Sequence, residues 1–159
     1  MAFIPVDSFT RVAWVSAIAN IALPTTTELN AGILLTATMA PDGLKSFQPD
    51  TADVPNATLA SRFDSVDTGR VSVKGATLRL YKTTATDTIY NTLVYGTAGF
   101  VVVRRDIDQG TAWASSQAVE VYPAKCGETQ RIDPAANEET MYEIPIKVTA
   151  QPNLRAAVA

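Results

Sequence analysis

The chain has 159 residues, 47% of them apolar, which suits one globular domain over residues 1–159 with a buried core and excludes general disorder. Its 13 basic and 16 acidic groups leave a formal charge of −3, which excludes any general electrostatic attraction to nucleic acid or anionic lipid. There is no histidine, so the commonest general base, the Ser-His and Cys-His nucleophile pairs and most zinc sites are removed at once.

Taken in chain order, Thr10 to Ser16 (TRVAWVS) predicts a first strand with Val12 and Trp14 on one face. Thr25 and Glu28 have the spacing of a capping box, and Gly32 is placed to stop the short helical turn between them. Ile33 to Met39 (ILLTATM) then predicts a second strand, apolar enough to be buried. Residues 40–70 read as one long loop, punctuated by Pro41, Gly43, Pro49, Pro55 and Gly69. Leu44, Phe47, Val54, Leu59 and Phe63 lie within it, and a merely solvated linker would not need them. The loop is therefore expected to be an arm that docks on something, such as a neighbouring subunit.

Val71 to Lys82 (VSVKGATLRLYK) predicts a long strand whose apolar parity switches across Gly75-Ala76. A β-bulge at Gly75 accounts for the switch, and a slip in register is the alternative. Residues 86–96 predict a two-turn helix with Thr86 as N-cap, Asp87 suited to the dipole, Ile89 and Leu93 on one face, and Gly96 at its end. Three strand-like stretches follow, at 99–105, 117–123 and 140–149, with the first apolar on both faces. The other two alternate, Val119 and Val121 sharing one parity and Tyr142, Ile144, Ile146 and Val148 another. Pro145 inside the last stretch predicts an edge strand or a bulge, because proline cannot donate to the ladder. A short C-terminal tail ends the chain. The fold class is mainly β: an antiparallel β-sandwich or barrel with one short flanking helix.

The motifs carry no chemistry. Asp67-Thr68-Gly69 matches the triplet of aspartic proteases, which need two copies to share a proton. Its surroundings, Ser65-Val66 and Arg70, do not match that site, so it reads as a turn in a loop rich in Asp and Gly. Asp42, Asp50, Asp53, Asp64 and Asp67 follow no calcium-loop spacing and read as solvated. Asn56-Ala57-Thr58 is a glycosylation sequon only on paper, since the N-terminus has no basic segment followed by an apolar run and so predicts no signal peptide. The single cysteine, Cys126, allows no internal disulfide and reads as a buried structural thiol. Arg104-Arg105 is too short a basic patch for nucleic-acid recognition and is expected to pair with Asp106, Asp108 or a neighbouring subunit. No stretch approaches the ~18 apolar residues of a membrane span. No catalytic residue, cofactor or metal site is expected.

The order of these pieces, from PTTTELNAG through the long loop to TDTIYNTLVYG, GFVVVRRD and AVEVYPAKC, resembles that of the tail tube (major tail) proteins of siphophages, particularly those of actinobacteria. The resemblance covers nearly the whole chain and is most specific over Pro24 to Gly32 and Asp87 to Arg105. It implies a structural virion protein, made in the host cytoplasm, that forms hexameric rings. The rings stack into a tube through which phage DNA passes without specific binding. It also implies contacts with other tail proteins, none with a membrane, and a long loop reaching the next ring, here through Leu44, Phe47, Val54, Leu59 and Phe63. Two other readings stay open: a different tail, neck or head-decoration component, and a carbohydrate-binding β-sandwich. The latter would use a face of exposed aromatics, and only Trp14 and Trp113, far apart in sequence, are tryptophans.

Overall fold

The computed structural model describes residues 1–84 and 86–159. In chain order the elements are β1 (Thr10–Val15), α1 (Thr26–Asn30), β2 (Ile33–Leu34), a 3-10 turn (Thr36–Thr38), β3 (Met39–Lys45), β4 (Asp50–Pro55), β5 (Val66–Ser72), β6 (Thr77–Tyr81), α2 (Thr88–Thr92), β7 (Ala98–Arg105), β8 (Ala118–Cys126), β9 (Gln130–Arg131), β10 (Met141–Val148) and β11 (Asn153–Ala157). Among the described residues, nine strands join one curled antiparallel sheet in the order β2-β1-β7-β8-β10-β6-β3, with β11 added to β8 and β9 to β10. The mainly β class expected from periodicity is what the chain adopts.

The curl comes from β10. Its residues Met141 to Pro145 pair with β6, and Ile146 to Val148 pair with β8. Pro145 is therefore not on an edge strand; it sits where β10 changes partner. The Ile146 amide already reaches back to the Ala76 carbonyl, and Gly127 donates to the Pro145 carbonyl. The missing proline donor thus falls at the crossing rather than inside a continuous ladder. The sheet divides there into two leaves: β2-β1-β7-β8 with β11, and β3-β6 with the first half of β10 and β9.

Between the leaves lies the larger core, with Val12, Trp14, Val101, Val103 and Tyr122 from the first leaf against Leu78, Leu80, Tyr142 and Ile144 from the second. A second core covers the other face of the first leaf, where Ala13, Val15, Val102, Val119 and Val121 meet Leu29 of α1, Trp113, Ala156 and Val158. The first leaf is buried on both faces, which is why GFVVV carries no polar alternation. Full burial of each valine of the Val101–Val103 run contributes about 1.5–3 kcal/mol. Gly99 lets Trp14 lie flat on β7, since a Cβ there would come within 2.6 Å of the indole.

At α1 both halves of the expected Thr25/Glu28 capping box form. The helix closes on Ala31 in right-handed conformation, so Gly32 is not its left-handed stop. α2 is shorter than expected and is capped by Asp87, not Thr86. The expected strand 33–39 is two residues of strand followed by the 3-10 turn, because Leu35 leaves the extended region (φ −96°, ψ −21°) and the Thr36 hydroxyl, not a main-chain carbonyl, takes the Val12 amide. Residues 40–70 are not one irregular loop: β4 and most of β3 and β5 lie within them. The expected C-terminal tail contains β11, whose Ala156 pairs with Val119.

Candidate functional site

The motifs with catalytic associations lead nowhere chemically. Asp67-Thr68-Gly69 is not a turn but part of β5, where Asp67 faces Val54 of β4 and its carboxylate accepts from the Thr68 amide. Cys126 is buried in the larger core, and burial pushes its thiol up to about 11. Among the described residues no group of three His, Cys, Asp or Glu side chains could hold a metal ion, and no helix is long and apolar enough to cross a membrane.

The arginine pair behaves differently from expectation. Arg105 pairs with Glu120 at 3.1 Å rather than with a neighbouring aspartate. Arg104 is fully buried and meets no carboxylate; it donates to the carbonyls of Asp108, Thr111 and Ala112 and to Gln117 Oε1. Its guanidinium lies 5.1 Å from the Trp113 ring centroid, and that of Arg11 lies 4.9 Å from the same ring. Burial first, and the nearby Arg11 charge second, hold Arg104 below the ordinary arginine pKa. This cluster fastens the 106–117 connection to the first leaf. It joins residues about a hundred positions apart (Arg11 donates to the Thr111 carbonyl), so no local pattern announces it.

Chemistry yields to surfaces, and the most prominent is a projecting ribbon. Leu44 lies opposite Leu78, Lys45 opposite Thr77, Asp50 opposite Ser72 and Thr51 opposite Val71. Each step along one strand is matched by one step back on the other. Thus β3–β4 and β5–β6 are two lengths of a single hairpin, interrupted at 46–49 and 73–76. The interruption explains Gly75: it is not a bulge within one strand but a joint between two, with φ of 71°. Beyond the joint every residue of β4 is exposed, as are Val66 and Val71 of β5. A two-stranded ribbon with both faces in water is at best marginally stable alone.

The five apolar residues expected at a contact between copies are split by this joint. Phe47 is only 3% exposed and stacks edge-on against Tyr122 at 5.3 Å, while Leu44 packs on the same core. Phe47 is thus committed within its own chain, whereas Leu44 stays partly exposed. Val54 on the ribbon and Leu59 and Phe63 at its tip are exposed, Phe63 to 76%. A second exposed apolar segment escaped the sequence reading: Met1, Phe3, Ile4 and Val6 precede β1 with no strand pairing.

The other surface is the outer face of the second leaf. Arg79 of β6 donates from Nε and Nη2 to Glu143 Oε1 of β10 at 2.8 and 2.6 Å, and from Nη1 to Asp42 at 3.3 Å. Lys45 Nζ lies 3.5 Å from Glu143 and 3.8 Å from Asp42. Two cations and two carboxylates neutralise one another on a face that also presents Thr77, Tyr81 and Met141.

A family model described as phage tail tube protein matches residues 1–159. Among solved structures, the chain is similar to one in the cryo-EM structure of the anti-feeding prophage baseplate, sixfold symmetrised. The TM-score is 0.65 at 10% identity, over 98% of each chain, a likeness of fold. No curated protein matches the chain.

Proposed function

From the premise that this chain belongs to the phage tail tube protein family, a structural family and not an enzymatic one, we propose that it is the tube subunit itself. It closes into hexameric rings that stack into a continuous conduit for phage DNA. The observation that carries this reading is the family match along the whole chain. The ribbon supports it, because β4 and β5 expose both faces and gain a reason to be ordered only against another molecule. Head-to-tail contacts between identical subunits close a ring, and the two faces of each ring remain free to stack. Closure also removes the unpaired strand edges that would otherwise invite aggregation.

Within that assembly, Val54, Leu59 and Phe63 make the contact with the next ring, while Phe47 fills the subunit's own core and Leu44 packs partly against it. Six copies at −3 each carry −18 per ring, so the tube as a whole repels DNA rather than retaining it. Other tail proteins meet the tube at its ends, and the subunit is made in the host cytoplasm before entering the virion. Native mass spectrometry of the smallest stable assembly tests the ring: six copies of the 17.0 kDa chain are expected, and a dimer or trimer as the terminal species would refute it.

A further inference from the structure

We propose that Lys125 and Lys147, at the bare end of the first leaf with Val94 and Tyr95 beside them, form the surface on which the ribbon of a second copy docks, its Asp64 and Asp67 meeting the two lysines. This rests on the tube reading above and adds where the ribbon lands.

The two lysines are badly placed for a single chain. Lys147 of β10 lies directly opposite Lys125 of β8, both exposed, and Ala98 of β7 is next in the same row. Like charges directly opposite one another on paired strands disfavour the pairing. Neither lysine belongs to any ion pair of the described chain. Other exposed cations, such as Lys74, Arg131 and Arg155, are not set against a second cation. The row also falls where the covering of its face runs out. α1, Trp113 and the C-terminal residues shield Val119 and Val121 on the same face of β8, but Lys125 is left open. The neighbouring turn is tied to β8, since Gly96 donates to the Cys126 carbonyl and Cys126 donates to that of Thr97. That turn holds Val94 and Tyr95 in the open, Tyr95 to 74%. Two cations and two exposed apolar side chains therefore share one end of the leaf.

The ribbon carries the complementary composition. Asp50, Asp53, Asp64 and Asp67 outnumber Arg62 and Arg70 over residues 50–72, and none of these carboxylates enters an ion pair of the described chain. Toward the tip the sequence reads Phe63-Asp64-Ser65-Val66-Asp67, and all but Ser65 are exposed. Carboxylate and apolar side chains alternate there, facing the same mixture of apolar groups and opposite charge on the lysine row. Carboxylates brought between Lys125 and Lys147 relieve their repulsion. The apolar side chains alongside supply the burial that exposed ion pairs by themselves do not. Ribbon and row are different patches of one chain, so the contact is heterologous. Each added copy leaves one ribbon and one row unused, and assembly propagates.

Charge exchange in the full chain tests this. Lys125→Glu with Lys147→Glu, and separately Asp64→Lys with Asp67→Lys, should each raise the protein concentration needed for tubes by about tenfold or more, with thermal melting like that of the parent. A chain carrying all four substitutions is expected to recover the parent threshold to within about threefold. Parent-like assembly of either double variant overturns the docking assignment and leaves the tube reading standing, as does a quadruple variant no better than the doubles. Where a double variant melts low, cross-linking provides the reading. In mixed tubes of Asp67→Cys and Lys147→Cys chains a short bismaleimide should join the two chains, and the buried Cys126 adds little background. Such tubes without a cross-linked pair overturn the assignment. A parent chain that forms no tubes overturns both readings.

Discussion

Ser46 and Gly75 stand on opposite strands at the same break in one hairpin, and both have left-handed backbone, with φ of 58° and 71°. The break separates the part of the hairpin that belongs to the core from the part that belongs to the ribbon. At Gly75 a substituted Cβ would meet nothing within 4 Å, so the cost of a side chain there is conformational alone.

Gly75→Ala is therefore expected to destabilise the fold by about 1–2 kcal/mol through backbone strain. Ser46→Gly should be neutral or slightly stabilising, because it relieves the same conformation on the other strand. Urea unfolding of the two variants checks the pair, and equal losses from both would contradict it.

Phe47 and Phe63 should separate folding from assembly. Phe47→Ala opens a core cavity against Tyr122 and is expected to cost about 3–5 kcal/mol. Phe63→Ala should change unfolding free energy by less than about 0.5 kcal/mol, as exposed positions do. It should nevertheless impair polymerisation followed by sedimentation. If Phe63→Ala assembled normally, the ribbon tip would not be the contact.

Arg104→Lys keeps the charge but cannot serve three carbonyls and Gln117 at once. A loss of about 3 kcal/mol is expected, the order of stranding buried partners of a charged group. Amide exchange should show the 106–117 connection opening first. Uniform loss of protection across the first leaf would argue against a local clamp.

Asp87 gives a pH signature. Burial opposes its ionisation, but the Tyr90 and Thr83 amides and the Lys82 ammonium outweigh that and hold its carboxyl below the ordinary value. Its stabilising contribution is then complete above the unfolded pKa of about 3.9 and is lost as pH falls through the lower folded value. Asp87→Asn, which can still cap α2, should cost about 1 kcal/mol at neutral pH and converge with the parent protein in acid. Thermal melts across pH 2–7 are the check; a constant difference throughout would exclude ionisation of Asp87 as the cause.

How far these features were legible depended on whether a residue's environment is local. Strands β7, β8 and β10 were visible because each buries a face and so alternates or runs apolar. The capping box at Thr25 and Glu28 was visible because both partners lie within four residues. The ribbon was hidden because it buries no face of its own, and β3 was disguised by Pro41, Asp42 and Gly43. The parity change at Gly75 was detected but misassigned, since sequence alone does not tell a bulge from a joint between two lengths of hairpin. Pro145 was misjudged for the same reason: a strand that changes partners tolerates a missing donor that a continuous ladder would not. Phe47 fills the core and Leu44 packs partly on it, although a segment this rich in Pro, Gly and Asp reads as a loop that leaves the core.

Negative-stain microscopy of the purified protein across a concentration series, paired with light scattering, tests self-assembly most directly. Hollow tubes built of sixfold rings, lengthening with concentration, are the expected result. A strict monomer at every concentration would contradict it.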